Sequence, residues 1–286
     1  MPRPNLFIIG AMKSGTSSLH RYLGSHPEIF MSSPKEPMFF SRDITSSDEL
    51  EAYLKLFETD RRVKYLGESS TSYTKVPRFP GAAERIHAFN PDARLIYIMR
   101  DPVERTISQY WHMVRNHGER RPILKAIRQD PEYTQISYYA MQIKEYLAIW
   151  KPENLYFLTL EEMKSDPTGT LQRIFRWLGV DPSFSLSDTE RKHVTPPVIH
   201  QVRGFGVLNA IRKSPVWQTV RPVVPAPLRT VGSRLGIRRV DRKAVPVEET
   251  VQYLKPIQRC QTEELSQLLG RQFPEWRTLY SSNSPN

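Results

Sequence analysis

The chain has 286 residues, of which 39% are hydrophobic, and this is enough to bury the core of one large α/β domain or two small ones. Its single cysteine, Cys260, excludes an internal disulfide, and no apolar run approaches the roughly 18 residues of a membrane-spanning helix. The net charge of +11 is concentrated between Arg191 and Lys243, where twelve Lys or Arg accompany one acid, Asp241. Such a patch attracts phosphate, an acidic acceptor or an anionic membrane surface.

The amino-terminal sequence MPRPNLFIIG lacks the long apolar segment and the small-residue cleavage site of a signal peptide. A single cysteine is typical of proteins in a reducing compartment. We therefore expect a cytoplasmic protein.

The first predicted elements are a strand at Leu6–Ile9, a tight loop after Gly10 and a helix that includes Leu19–Leu23. Glycine allows close approach of a ligand to the backbone, and the amides and dipole of a helix N-terminus favour an anion. The alternative is a plain strand, turn and helix without a ligand. The loop is not a Walker A sequence, in which lysine follows the second glycine, so no Mg²⁺ ligand is implied. The residues that would contact the anion are Lys13, Ser14, Gly15, Thr16, Ser17 and Ser18.

A second predicted strand and helix carry another basic residue. The strand Arg94–Met99 ends at Arg100, and Asp101 followed by Pro102 predicts the start of a helix that includes Ser108. If this strand lies beside the first one, Arg100 and Ser108 enter the same crevice as the glycine-containing loop.

The remaining pattern alternates between strands and helices. We predict strands at 29–31 and 154–160, a loop with a buried aromatic end at 33–40, and helices at 48–57, 80–90, 138–150, 161–164 and 168–178, with a helix pair at 248–269. This alternation predicts an α/β domain with a central, mostly parallel sheet flanked by helices.

Two segments, GAMKSGTSSL and RDPVERTISQY, together resemble sulfotransferases that use 3′-phosphoadenosine-5′-phosphosulfate (PAPS), in particular their bacterial and glycan-modifying branch. The resemblance implies a single domain over 1–286 with a P-loop-like loop, Lys13 to Ser18, for the 5′-phosphosulfate. It also implies that Arg100 and Ser108 hold the 3′-phosphate. The basic, proline-rich segment at about 191–246 then corresponds to an insertion or flap over the nucleotide, with Lys192 and Arg203 as its candidate contacts.

The same resemblance makes Glu36 the candidate general base and Lys13 the group that stabilises the leaving phosphate. The alternative for Glu36 is a surface ion pair with Lys35 or Arg42. The segment 65–73 resembles the family's third strand and turn. Within it, Glu68 is the second candidate base, and it either orients the acceptor or accepts backbone donors. Many relatives have a lysine after this glutamate, whereas this chain has Ser69.

A tyrosine at the start of the helix at 138–150 lies near the nucleotide in relatives. Tyr138 and Tyr139 are the candidates here, and a core position is the alternative.

We therefore predict an enzyme that transfers a sulfonate group from PAPS to a hydroxyl or amine, without a metal. The acceptor could be a saccharide, a glycolipid or a small natural product, and the segment 191–243 could contact an anionic membrane surface. A P-loop-type kinase is the first alternative, although lysine is misplaced for it. A basic nucleic-acid-binding protein is the second, although no recognition motif accompanies the charge.

Overall fold

The structure is a computed structural model that describes residues 3–44, 46–185, 198–202 and 237–281. Five strands form one sheet in the order β2-β3-β1-β4-β5, and every neighbouring pair is parallel. The prediction of an α/β fold with a parallel sheet is confirmed. The strands are β1 (Leu6–Gly10), β2 (Ile29–Met31), β3 (Tyr65–Ser69), β4 (Arg94–Met99) and β5 (Leu155–Thr159).

Helices cover both faces of this sheet. Their bounds are α1 (Thr16–Gly24), α2 (Ser47–Leu54), α3 (Ala82–Phe89), α4 (Pro102–Asn116), α5 (Ile123–Gln129), α6 (Glu132–Gln135), α7 (Tyr139–Ile149), α8 (Leu160–Ser165), α9 (Pro167–Leu178), α10 (Glu248–Leu269) and α11 (Arg277–Tyr280). Short 3-10 turns lie at Phe39–Ser41, Lys55–Phe57, Thr71–Thr74, Pro152–Asn154 and Arg242–Ala244.

Alternate residues of each strand enter opposite halves of the core, because successive side chains of a strand point to opposite faces. Phe7 and Tyr97 join the half covered by α3, α4, α7 and α10. Ile8 and Ile96 join the half covered by α1, α8 and α9. This burial on both faces explains why β1 and β4 are continuous apolar runs in the sequence.

The predicted start of α4 is confirmed. The Asp101 carboxylate accepts hydrogen bonds from the amides of Val103 (3.0 Å) and Glu104 (3.2 Å), and Pro102 is the first helical residue. The cap also fixes the direction in which the chain leaves β4, so it positions the residues of the first turns of α4 at the edge of the sheet.

Three features of the structure were not predicted from the sequence. The segment Glu248–Leu269 is one helix that contains Pro256, not a pair. Helices α5 and α6 occupy a stretch for which no element was predicted. Strands β6 (Val198–Val202) and β7 (Ile237–Asp241) form a separate antiparallel pair, and β6 contacts α4.

The chain reaches the outer strand β2 and returns through β3 to the side of β1, and it then crosses to β4 on the other side of β1. In open α/β sheets, ligands bind at the carboxyl edge where the strand order reverses in this way. The first loop follows β1 and Arg100 follows β4, so the candidate residues of both lie at this edge. Among the helices that the structure describes, none combines the length and the apolar character required to cross a bilayer.

Candidate active site

The loop after β1 is held against the neighbouring strand β4. The Ala11 amide donates to the Ile98 carbonyl (2.8 Å), and the Ser14 amide turns back to the Ala11 carbonyl (3.2 Å). Lys13 has a positive φ of 68°, which is uncommon for a residue with a side chain. The loop therefore turns directly over the carboxyl edge of the sheet, between β1 and α1.

Two features favour glycine at position 15, namely the backbone conformation of the turn and the close approach of the loop to α8. The φ of Gly15 is 94°, and a Cβ atom at this position would lie 2.7 Å from Leu160 Cδ1 on α8. Within the described part of the chain, no side chain caps the N-terminus of α1, which begins at Thr16. The first amides of a helix lack intrahelical acceptors, so this end of α1 is suited to an anion.

Lys13 lies among other cations. Burial lowers the pKa of its ammonium group, and the positive charges of Arg100, Arg115 and Arg242 lower it further, in that order. No carboxylate forms an ion pair with Lys13 in the part of the chain that the structure describes. A half-buried ammonium group that has no acidic partner of its own and is surrounded by other cations favours binding of a multiply charged anion.

Arg100 connects β4 to this group of cations. Its Nη2 atom pairs with Glu104 Oε2 (2.6 Å), and the Tyr139 hydroxyl donates to its carbonyl (2.7 Å). Its Nε atom is buried without a hydrogen-bond partner among the described residues. A buried donor with no acceptor is costly, so Arg100 retains capacity for an anionic ligand. Tyr139 is buried, which is the core position given as the alternative from the sequence, and its hydroxyl lies beside Ser14 of the loop. Contact of Tyr138 or Tyr139 with a nucleotide stays a prediction.

Ser108 lies half-buried on α4, four residues after Glu104. One turn further on, burial lowers the pKa of His112 to about 4, and the Lys13 charge is the next largest cause. Because residues four apart share one helix face, Ser108 lies between Glu104, which pairs with Arg100, and His112, whose pKa the Lys13 charge lowers. The structure thus brings Lys13 and Arg100 together, and contact of Ser108 with the same ligand stays a prediction.

Two cations of this site were not singled out from the sequence. Arg115 lies on the same helix as Ser108, and Arg242 follows β7 with its guanidinium 5.7 Å from the centre of the Trp111 ring. Arg242 belongs to the basic segment identified by its charge, but its approach to α4 depends on the fold. The two residues predicted from this segment, Lys192 and Arg203, lie outside the described residues.

Glu36 lies in the loop between β2 and α2. Its amide donates to the Ser69 carbonyl at the end of β3 (3.0 Å), and its carboxylate pairs with Lys35 Nζ (2.5 Å) and accepts from the Thr71 hydroxyl (3.4 Å). The Glu36 side chain is 37% exposed. The Lys35 pairing is one of the two surface alternatives, whereas Arg42 pairs with Glu49. An exposed carboxylate whose backbone is attached to β3 is accessible to a substrate.

Glu68 is in a different environment. Its side chain is fully buried on β3, and burial raises the pKa of its carboxyl group. It accepts hydrogen bonds from three hydroxyls, those of Tyr53 (2.8 Å), Ser70 (2.7 Å) and Tyr73 (2.6 Å). Neither role predicted for Glu68 describes these contacts, because its partners are side-chain hydroxyls and no solvent-accessible surface remains for an acceptor.

Ser69, the residue that departs from the lysine implied by the family resemblance, contacts α1. Its Oγ atom lies 2.8 Å from His20 Nδ1. Burial, and then the charge of Lys35, lower the pKa of His20 to about 4, so the imidazole is neutral at pH 7. Among the described residues, no group of three or more His, Cys, Asp or Glu side chains is placed to hold a metal ion.

Comparison with known proteins identifies the family and the fold of the chain. A family model described as "Sulfotransferase domain" matches residues 3–222. The crystal structure of a sulfotransferase from Alicyclobacillus acidocaldarius superimposes with a TM-score of 0.66 and 28% sequence identity, over 97% of this chain and 100% of that one.

Curated relatives share part of their length with this chain. Heparan sulfate glucosamine 3-O-sulfotransferase 3B1 of Mus musculus is 29% identical over 229 residues, which are 74% of this chain and 55% of that protein. The membrane-associated sulfotransferase kil1 of Dictyostelium discoideum is 39% identical over 110 residues, 37% of this chain and 22% of that protein. The chain thus spans less than two thirds of these relatives. Because the family model covers most of the chain and includes both segments on which the resemblance rests, the chain belongs to the sulfotransferase domain family.

Proposed function

We propose that this protein transfers a sulfonate group from PAPS to a hydroxyl or amine of a glycan or small-molecule acceptor. The observation that carries the proposal is the group of cations at the carboxyl edge of β1 and β4, where Lys13 and Arg100 share an electrostatic environment. A donor with a 5′-phosphosulfate and a 3′-phosphate has anionic groups at two separated points, which suits two basic strand ends. In this proposal the loop from Lys13 to Ser18 holds the phosphosulfate, and Arg100 and Ser108 hold the 3′-phosphate.

In the proposed reaction, the acceptor oxygen or nitrogen attacks sulfur as the bond between sulfur and the bridging phosphate oxygen breaks. The acceptor proton passes to the Glu36 carboxylate, which is exposed and oriented by Lys35 and Thr71. Negative charge develops on the departing phosphate oxygen, where the Lys13 ammonium and the amides of α1 stabilise it. The products are the sulfonated acceptor and 3′-phosphoadenosine 5′-phosphate (PAP). Preorganised donors of this type supply a large part of many rate enhancements.

The names of the relatives indicate the general class of the acceptor. The curated relatives include a glucosamine 3-O-sulfotransferase and a bifunctional N-deacetylase/N-sulfotransferase, so oxygen and nitrogen acceptors both occur among them. We propose a saccharide, a glycolipid or a small natural product with a free hydroxyl or amine. Incubation with labelled PAPS and a lysate of the source cells, followed by identification of the labelled product, identifies the acceptor.

The single cysteine, Cys260, supports a reducing compartment, so we propose the cytoplasm as the location. Fractionation of the source cells tests this proposal: recovery in the cytosolic fraction supports it, and recovery only outside the cytosol contradicts it. Contact of the segment 191–243 with an anionic membrane surface stays a proposal as well. Its test is binding to vesicles of anionic lipid, which should weaken as salt increases.

Calorimetry with three ligands tests the donor. We expect PAP to bind, and ATP with Mg²⁺ and duplex DNA to bind far more weakly. Tight binding of ATP with Mg²⁺ and none of PAP would indicate a kinase instead. The base is tested by Glu36→Gln, which should keep the affinity for PAP and lose most of the turnover. Turnover at the unaltered rate would exclude Glu36 as the base.

A further inference from the structure

Glu68 is a fully buried carboxylate that the proposed reaction does not use. Its Oε1 atom accepts from the hydroxyls of Tyr53 (2.8 Å) and Tyr73 (2.6 Å), and its Oε2 atom accepts from the hydroxyl of Ser70 (2.7 Å). Burying a carboxyl group is unfavourable unless donors surround it. Three hydroxyl donors converge on this one side chain, so the surrounding residues are arranged to stabilise the Glu68 carboxylate.

Two of these hydroxyls also bind the loop that carries Glu36. The Met38 amide donates to Ser70 Oγ (2.9 Å), and the Phe40 amide donates to the Tyr73 hydroxyl (3.3 Å). A hydroxyl has one proton and two lone pairs. When that proton is directed to Glu68, the lone pairs remain for the amides. The carboxylate therefore sets both hydroxyls as acceptors toward the loop.

The backbone of this loop needs such support. Glu36 and Met38 have positive φ values of 62° and 56°, a region that residues with side chains rarely adopt. Such conformations persist where surrounding contacts fix them. The Glu36 amide is itself held by the Ser69 carbonyl at the end of β3 (3.0 Å), and the Met38 amide by Ser70 just after that strand, so hydrogen bonds fix the loop on both sides of Pro37.

We infer that Glu68 is a positioning residue that fixes the Glu36 loop through the hydroxyls of Ser70 and Tyr73. The effect on turnover rests on the proposed function, in which Glu36 is the base. The effect on the loop itself does not, because it follows from the hydrogen bonds alone.

Tyr53 provides a matched control. Its hydroxyl donates to the same Glu68 oxygen as Tyr73, but it forms no hydrogen bond with the loop among the described residues. Tyr53→Phe thus removes one donor from the carboxylate and keeps the aromatic ring, which stacks on Phe39 at 4.1 Å. Ser70→Ala removes a donor and also the acceptor of the Met38 amide.

The experiment is hydrogen exchange measured by mass spectrometry on peptides covering 36–41, in the complete chain without ligands. In Ser70→Ala we expect exchange of the Met38 amide to be roughly fivefold to tenfold faster, as expected for loss of one hydrogen bond. In Tyr53→Phe we expect little change in this peptide. Glu68→Gln should also accelerate exchange there, since its amide group can donate to a hydroxyl and reverse its direction.

Equal exchange of 36–41 in Ser70→Ala and Tyr53→Phe would overturn the inference, whatever the activity of the enzyme. Turnover is the second measurement: kcat of Ser70→Ala and Tyr73→Phe should fall roughly tenfold with unchanged affinity for PAP, because a small displacement of a reacting group is costly. If exchange rises but kcat matches that of Tyr53→Phe, the positioning role is wrong. If the unaltered protein does not bind PAP, the proposed function fails and the exchange result still stands.

Discussion

Substitution of Lys13 by methionine is expected to affect activity and stability in opposite directions. Methionine keeps an unbranched side chain of similar length and removes the charge. Loss of one preorganised donor to a developing anion costs about 3 to 4 kcal/mol in the transition state, which corresponds to roughly 10²- to 10³-fold in kcat. We therefore expect turnover with PAPS to fall by this factor and the affinity for PAP to weaken.

The stability of the ligand-free protein should rise. Burial and the neighbouring arginines lower the pKa of Lys13 below its usual 10.5, so the folded state disfavours the ammonium form relative to the unfolded chain. While Lys13 is protonated in both states, the whole unfavourable contribution is present, and it fades as the pH rises through the lowered pKa of the folded state. Lys13→Met removes this contribution, so urea denaturation should give a higher free energy of unfolding.

Lys64→Met is the matched control, because Lys64 is distant from the cation group and donates to the Gly179 carbonyl at 2.8 Å. It should lose a little stability and keep its turnover. A Lys13→Met protein with normal turnover, or with lower stability than the unaltered protein, would refute the reasoning that places an uncompensated cation in the anion site.

Three further predictions concern the architecture around the site. Gly15→Ala places a methyl group 2.7 Å from Leu160 Cδ1 at a φ of 94°. The free energy of unfolding should therefore fall by about 1 to 3 kcal/mol, and PAP binding should weaken. An unchanged free energy in denaturation, together with unchanged affinity in calorimetry, would contradict this. Asp101→Ala removes the carboxylate that accepts from the amides of Val103, Glu104 and Leu279 at 3.0, 3.2 and 3.0 Å. We expect the free energy of unfolding in urea denaturation to fall by about 2 kcal/mol. A fall below about 0.5 kcal/mol would show that the cap contributes little to stability. His20 and His112 each have a pKa lowered from 6.5 to about 4 in the folded protein, so the unfolded chain binds more protons in this range. The free energy of unfolding should therefore fall as the pH decreases from about 6.5 to 4. The slope should reach at most roughly 1.4 kcal/mol per pH unit for each histidine. The variant His20→Gln/His112→Gln should have a flatter acid limb, and an unchanged limb would assign acid unfolding to other groups.

The positions of the strands were accessible from the sequence because both faces of β1 and β4 are buried and their residues are apolar without interruption. The start of α4 was also accessible, since Asp101 and Pro102 act through local backbone geometry. The continuity of α10 through Pro256 was not, because packing of the helix on α4 and α7 outweighs the local effect of proline. Helices α5 and α6 are short, and their periodicity is too brief to identify.

The residues of the site likewise divide into those that local sequence predicted and those that only the fold identified. Lys13, Arg100 and Ser108 were predicted from local sequence, since each follows a strand or lies on the helix that begins there. The contribution of Arg242 was not, because more than a hundred residues separate it from Lys13 and only the fold brings their charges together. The role of Glu68 was open in the sequence, since its three hydroxyl partners come from α2 and from the turn after β3.

The sequence by itself determined where strands end, where helices begin and which of these junctions carry basic and hydroxyl side chains, because these properties depend on residues within one or two turns of each other. Only the tertiary structure decided which junctions lie side by side, which carboxylate is exposed and which is enclosed. Glu36 and Glu68 are both glutamates that follow or end a strand, and their different environments arise from the elements packed against them. Electrostatic fields and burial sum over all neighbours in space, so they become defined only when the sheet has assembled.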